Sequence, residues 1–220
     1  MYRYEKKYLL KNSNDYSASY LNFYLKKKNI IKLHESNEIN NIYYDTIDFK
    51  NYHFHIEGNL ERYKVRIRWY KKNFFEKYNF FLEIKKRINK KNNKYKISLP
   101  IKSIKEIKKF DINPYLKKLN KKYNFEKKSF NFKPVLINKY RRSYYYYKEK
   151  NNRITVDTNL MFSKINDFKK NYFLHTNIKL IEHKYLTKIN KSFFLDSNLK
   201  LLSGSFSKYL VGLEKLKLIQ

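Results

Sequence analysis

The segment ERYKVRIRWY, residues 61–70, places a cation at every second position: Lys64, Arg66 and Arg68, with Val65, Ile67 and Trp69 between them. Successive side chains of a strand point to opposite faces, so this stretch reads as a β-strand with one apolar face and one row of positive charge. Any fold of this chain has to find a place for that row.

The pattern recurs. YRYEKKY aligns Arg3, Glu5 and Lys7, and NFFLEIKKR aligns Glu83, Lys85 and Arg87 against Leu82 and Ile84. NKYKISL sets Lys94 and Lys96 against Tyr95 and Ile97; NKYRRSYYYY aligns Tyr140, Arg142 and Tyr144. NRITVDTNL aligns Arg153, Thr155 and Asp157, and KLIEHKYL aligns Glu182 and Lys184. With NIYYDTID, these make about eight strands. SNDYSASYLNFYLKKKNIIKL predicts a helix capped by Ser13 or Asn14, with Leu21, Tyr24, Leu25 and Ile31 on one side. SIKEIKKFDINPYLKKLNKKY predicts a second, opened by a Ser103/Glu106 capping box and broken or restarted at Pro114. Shorter helices are predicted through INKSFFLDSNL and near the C-terminus, and a turn at residues 89–93. With no linker or repeat, one domain over residues 1–220 is expected.

The 220 residues carry a net charge of +32 and no cysteine. Disulfides, thiolate metal sites and cysteine nucleophiles are excluded. No run approaches the roughly 18 apolar residues of a membrane span, and the N-terminus lacks a signal-peptide pattern, so a soluble cytoplasmic protein is expected. Lysine abundance beside a single alanine, Ala18, reads as compositional bias. The arginines, at 3, 62, 66, 68, 87, 141, 142 and 153, are more telling, because a rigid bidentate fork suits phosphate.

Charged faces could lie in solvent on an open sheet, or line the lumen of a closed one whose outer apolar face is covered by helices. Cations crowded in a lumen repel unless a polyanion fills it. The expected class is therefore α+β, an antiparallel barrel-like sheet with flanking helices whose cations line a tunnel for phosphate.

The order RIRWY, FLEIK, RITVD, IEHK, SFSKYLVG, from about residue 3 to 215, resembles the catalytic domain of the vacuolar transporter chaperone (VTC) polyphosphate polymerases, a branch of the triphosphate tunnel metalloenzymes. The resemblance implies transfer of the γ-phosphate of ATP to a growing polyphosphate chain, with Mn²⁺ or Mg²⁺. It implies catalytic roles for Arg66, Arg68, Lys85 and Lys208, and phosphate binding by Lys7, Lys94, Lys96, Arg142, Arg153, Lys184 and Ser207. Glu182 of IEHK matches the metal-binding glutamate. Ser205 departs from the pattern, standing where some polymerases have a lysine. Arg3, Glu5, Lys7 holds one of the two acids with which the hydrolytic members open, which favours the polymerase branch.

Such chemistry needs no strong general base, because the acceptor is already an ionised phosphate; it needs positioning and charge neutralisation. Glu5, Glu83 and Asp157 are read as ion-pair partners that orient neighbouring cations, each also a candidate second metal ligand, Trp69 as core, and His53 and His55 as surface residues in a loop. A triphosphate hydrolase of the same fold is the alternative reaction. A basic nucleic-acid-binding module is a third reading, without a recognisable RNA or helix-turn-helix motif. Oligomeric state is not legible.

Overall fold

The computed structural model describes residues 4–10, 15–70, 79–89, 91–107, 109–123, 131–148, 151–167, 172–186 and 201–219. The elements run β1 (Tyr4–Leu10), α1 (Asp15–Lys27), β2 (Ile31–Asp45), α2 (Lys50–Ile56), β3 (Glu61–Tyr70), β4 (Phe80–Ile88), β5 (Lys91–Leu99), α3 (Ile104–Ile107) and α4 (Asn113–Tyr123). β6 (Lys133–Tyr147), β7 (Asn152–Lys164), β8 (Leu174–His175), β9 (Lys179–Tyr185), β10 (Leu201–Ser203) and α5 (Lys208–Lys215) follow. The ten strands form one sheet in the order β10-β1-β9-β7-β6-β2-β3-β4-β5, with β8 on β7. The class is α+β and the sheet mostly antiparallel; among the described residues its path is open, ending at β10 and β5. The chain divides into two compact units. One comprises residues 1–38, 139–161 and 174–207; the other comprises 39–138, 162–173 and 208–220.

In the first unit, α1 buries Leu21, Tyr24 and Leu25, spaced i, i+3, i+4, against Tyr8, Ile154, Val156 and Ile181. The sequence pattern carried this helix on to Leu33, but it ends at Lys27. Asn29 takes a left-handed φ of 53°. Its N–H bonds the Lys26 carbonyl at 2.9 Å, and the Ile30 N–H bonds that of Leu25 at 3.0 Å. This is a Schellman closure, with the Ile30 and Leu25 side chains packed in the same core. Ile31 then opens β2 rather than continuing the apolar stripe of α1.

In the second unit, the apolar alternates of β3, β4 and β5 form one face. Val65, Ile67, Trp69, Phe80, Leu82 and Ile84 are at most 2% exposed. Burial of each contributes about 1.5–3 kcal/mol. Ile107 of α3 and Leu116 and Leu119 of α4 pack into this cluster. The sequence stretch 103–123 forms two helices, the second restarting at Asn113, beside the Pro114 where a break or restart was expected. Glu106 reaches back to the Ser103 hydroxyl (3.1 Å) and the Lys102 N–H (3.1 Å) to open α3. Asp111 then caps α4 through the Asn113 N–H (2.9 Å). Pro114 lies in the first turn of α4, where its missing N–H costs nothing. α5 approaches β6 and β7 so closely at Gly212 that an added Cβ would stand 2.7 Å from the Phe162 ring.

Candidate functional site

β3 and β4 pair with Arg66 opposite Glu83, Lys64 opposite Lys85 and Arg62 opposite Arg87. β4 and β5 set Lys96 opposite Glu83 and Lys94 opposite Lys85. Opposed residues share a face. These three strands therefore place eight cations (Arg62, Lys64, Arg66, Arg68, Lys85, Arg87, Lys94, Lys96) beside one carboxylate, Glu83.

That carboxylate is 2% exposed. Arg66 donates from Nε and Nη2 to its Oε2, at 3.0 and 2.8 Å. Lys94 Nζ donates to Oε1 at 2.7 Å, and Arg68 Nη1 lies 3.6 Å from Oε2. Burial pushes the Glu83 carboxyl up; the charges of Arg66, Arg68 and Lys94 outweigh it and bring its pKa down to about 2. β2 supports both arginines from directly opposite positions, Asn41 facing Arg68 and Tyr43 facing Arg66. Arg68 Nε donates to Asn41 Oδ1 at 2.9 Å, and Asn41 Nδ2 donates to Asn138 Oδ1 at 2.8 Å. Arg66 Nη1 reaches the Tyr43 hydroxyl at 3.3 Å.

Further along β2, Asp45 is fully buried. Its oxygens accept the N–H groups of Asn51 and Tyr52 in the first turn of α2, at 3.0 and 3.1 Å, and the Tyr209 hydroxyl of α5. Lys208, the residue before Tyr209, is buried at the start of α5.

In the first unit, β9 sets Glu182 opposite Lys7 of β1 and Lys184 opposite Glu5. β7 sets Thr155 opposite Glu182 and Arg153 opposite Lys184. Arg142 of β6 forks onto Asp157 (Nε–Oδ1 2.5 Å, Nη2–Oδ2 2.7 Å), and its Nη2 lies 3.4 Å from Glu182 Oε2. Lys184 Nζ is 3.9 Å from that oxygen and 3.8 Å from Glu5 Oε2. Lys7 Nζ donates to the Phe206 carbonyl at 2.9 Å and stands 3.5 Å from Glu5. Here charge is nearly balanced, Lys7, Arg142, Arg153 and Lys184 against Glu5, Asp157 and Glu182. Glu182 is 9% exposed, with two cations at ion-pair distance. Among the described residues no group of three or more His, Cys, Asp or Glu could hold a metal ion.

The sequence-derived residues thus fall into two sets. Arg66, Arg68 and Lys94 converge on Glu83. Lys85 and Lys96 are exposed on the same strand face, with Lys96 Nζ 3.7 Å above the Phe81 ring. Lys7, Arg142, Arg153, Lys184 and Glu182 belong to the other set, with Arg153 exposed and Ser207 half-buried. His53 and His55 sit in helix α2 rather than a loop. Arg3, the caps Ser13 and Asn14, and the helix expected over residues 189–199 lie outside the described residues. Asn41, Tyr43, Asp45 and Tyr209 went unrecognised. The alternation of Asn41, Tyr43 and Asp45 in NIYYDTID was the available signal.

Antiparallel strands here raise arginines and lysines around the buried carboxylates Glu83, Asp157 and Glu182. The chain matches the VTC domain over residues 2–217, and it belongs to that family. A putative adenylate cyclase from Bacillus halodurans shares the fold, with a TM-score of 0.52 at 15% identity over 85% of this chain and 83% of that one. The PH1819 protein from Pyrococcus horikoshii OT3 is 17% identical over 98% of this chain and 88% of its own, with a TM-score of 0.42. The RNA triphosphatase domain of a mimivirus mRNA capping enzyme is 12% identical over 84% and 81%, with a TM-score of 0.38. No curated protein sequence matches significantly. No helix among the described residues is long and apolar enough to cross a membrane.

Proposed function

We propose that this chain is a metal-dependent phosphotransferase that moves the γ-phosphate of ATP onto a growing polyphosphate chain, acting as a single domain in the cytoplasm. The observation that supports it most is the β3–β5 face, where eight cations meet one buried carboxylate. That surplus repels itself unless a polyanion neutralises it. Membership of the VTC family agrees with the reading.

In this mechanism Arg66 and Arg68 present guanidinium forks to the phosphate oxygens. Glu83 and Asn41 hold those forks in place beforehand, so little reorganisation is left for the reaction. Lys94, Lys85 and Lys96 extend the positive face, and Lys208 supplies a further cation from the start of α5. Arg142, Arg153, Lys7, Lys184 and Ser207 bind phosphate in the other unit. Glu182 would be the carboxylate that holds Mn²⁺ or Mg²⁺, Asp157 being engaged through both oxygens by Arg142, and a hard cation with so few protein ligands would depend on the phosphate oxygens of its substrate. When bound, the ion neutralises charge on the transferring phosphoryl group. The acceptor arrives as a phosphate oxyanion, so no side chain has to remove a proton.

The test is incubation of the purified protein with ATP and Mn²⁺ or Mg²⁺, followed by gel separation of acid-insoluble phosphate. Chains that lengthen with time support the polymerase. Orthophosphate released from ATP or tripolyphosphate without chains replaces it with the hydrolase.

A further inference from the structure

Four residues along the strands from the Arg66–Glu83 pair, Arg62 lies directly opposite Arg87. Like charges in that arrangement destabilise a strand pair. The Arg62 Nε is buried and has no hydrogen-bond partner. Arg87 donates from Nε to the Asn89 carbonyl at 2.9 Å. Among the described residues neither guanidinium forms an ion pair with a carboxylate. Burial, and then the charge of Arg87, lower the pKa of Arg62 below its ordinary value. The row between this pair and Glu83 is cationic too, Lys64 opposite Lys85 and Lys85 opposite Lys94. A buried donor without an acceptor calls for an explanation, and a ligand oxygen is one.

We propose that Arg62 and Arg87 form a second anion site, which holds a phosphate group of a polyphosphate chain whose other end lies at the Glu83 cluster. The inference rests on the phosphate-transfer reading and adds which substrate the face prefers. Four strand residues span about 13 Å. A P–O–P repeat is shorter than one residue of strand, so bridging the two sites takes roughly five or more phosphate groups. Tripolyphosphate fills the first site only; a longer chain reaches both and gains from the second contact as an intramolecular one.

Calorimetric titration with tripolyphosphate and with a polyphosphate of about 15 phosphates tests this, on the wild type and on an Arg62→Gln/Arg87→Gln double variant. The wild type binds the longer chain more tightly. In the double variant, affinity for the longer chain falls about tenfold or more, while affinity for tripolyphosphate stays within about twofold. Melting curves accompany the titrations, and Arg62→Lys, which keeps the charge but not the fork, is the second variant and retains only part of the gain. The proposal is overturned by a wild type indifferent to chain length, by a double variant that keeps the length-dependent gain, or by equal losses for both ligands. Single-stranded RNA that shows the length effect in place of polyphosphate also overturns it. Failure here is distinct from failure of the polymerase reading. The first is a binding result that leaves polymer synthesis intact; the second is absence of polymer from a protein whose binding still depends on chain length.

Discussion

The hydroxyl of Tyr209 donates a hydrogen bond to the carboxylate of Asp45, 164 positions earlier in the chain. Asp45 also holds the first turn of α2, so one buried carboxylate ties the end of β2 to α2 and to α5. Tyr209→Phe keeps the ring and removes the hydroxyl. Stability should fall by about 1–3 kcal/mol, the cost of a buried acceptor losing a partner. Turnover should fall as well, because the bond fixes the turn that begins with Lys208. Urea melts beside steady-state kinetics check both; an unaltered variant would show that α5 is positioned without this bond.

Glu83 ties acid stability to the cationic cluster. Its folded pKa, about 2, lies below the ordinary 4.5, so its contribution is complete above pH 4.5 and is lost as pH falls toward 2. Glu83→Gln should remove that component of the pH dependence. It should also cost about 3–5 kcal/mol at neutral pH, since Arg66 and Arg68 are left without their counter-ion. Added tripolyphosphate should restore part of the loss. Denaturant midpoints from pH 2 to 7, with and without the ligand, are the measurement.

Arg66→Ala removes the fork that binds Glu83 through both Nε and Nη2. Turnover should drop by roughly 10²–10³, as for loss of one preorganised electrostatic contact. Arg66→Lys should recover only part of it, an ammonium being a point charge rather than a fork. Normal kcat/KM in the alanine variant would remove this residue from the site.

Glu182→Gln separates a metal ligand from an ion-pair partner. As a ligand, it should leave tripolyphosphate binding largely intact while the Mn²⁺ concentration for half-maximal activity rises steeply. As a partner of Arg142 and Lys184 alone, it should lower the melting temperature and leave the metal titration unmoved.

Gly212→Ala should destabilise by about 1–3 kcal/mol through overpacking against Phe162, and Phe162→Leu in the same chain should relieve part of it. Thermal melts of the two single variants and the pair measure the coupling.

The two faces of β3 were legible in residues 61–70, because a strand's side-chain period is local and needs no partner. For the same reason Trp69 read as core and the alternates Arg66 and Arg68 as one charged row. Glu83 read as an ion-pair partner, but which cations it meets was not legible: Glu61 lies nearer the row in sequence, yet it pairs with Lys86, on the opposite face. Strand register decided that, and register is a property of two strands. The end of α1 was misread because Ile31 continues the apolar spacing, while the stop is a left-handed Asn29 closed by backbone bonds that periodicity does not encode. Alternation in NIYYDTID put Asn41 and Asp45 on one strand face, but neither their partners nor Tyr209 could be read from the chain. A polar residue acquires its role only when folding removes water from it and leaves one particular donor or acceptor within reach.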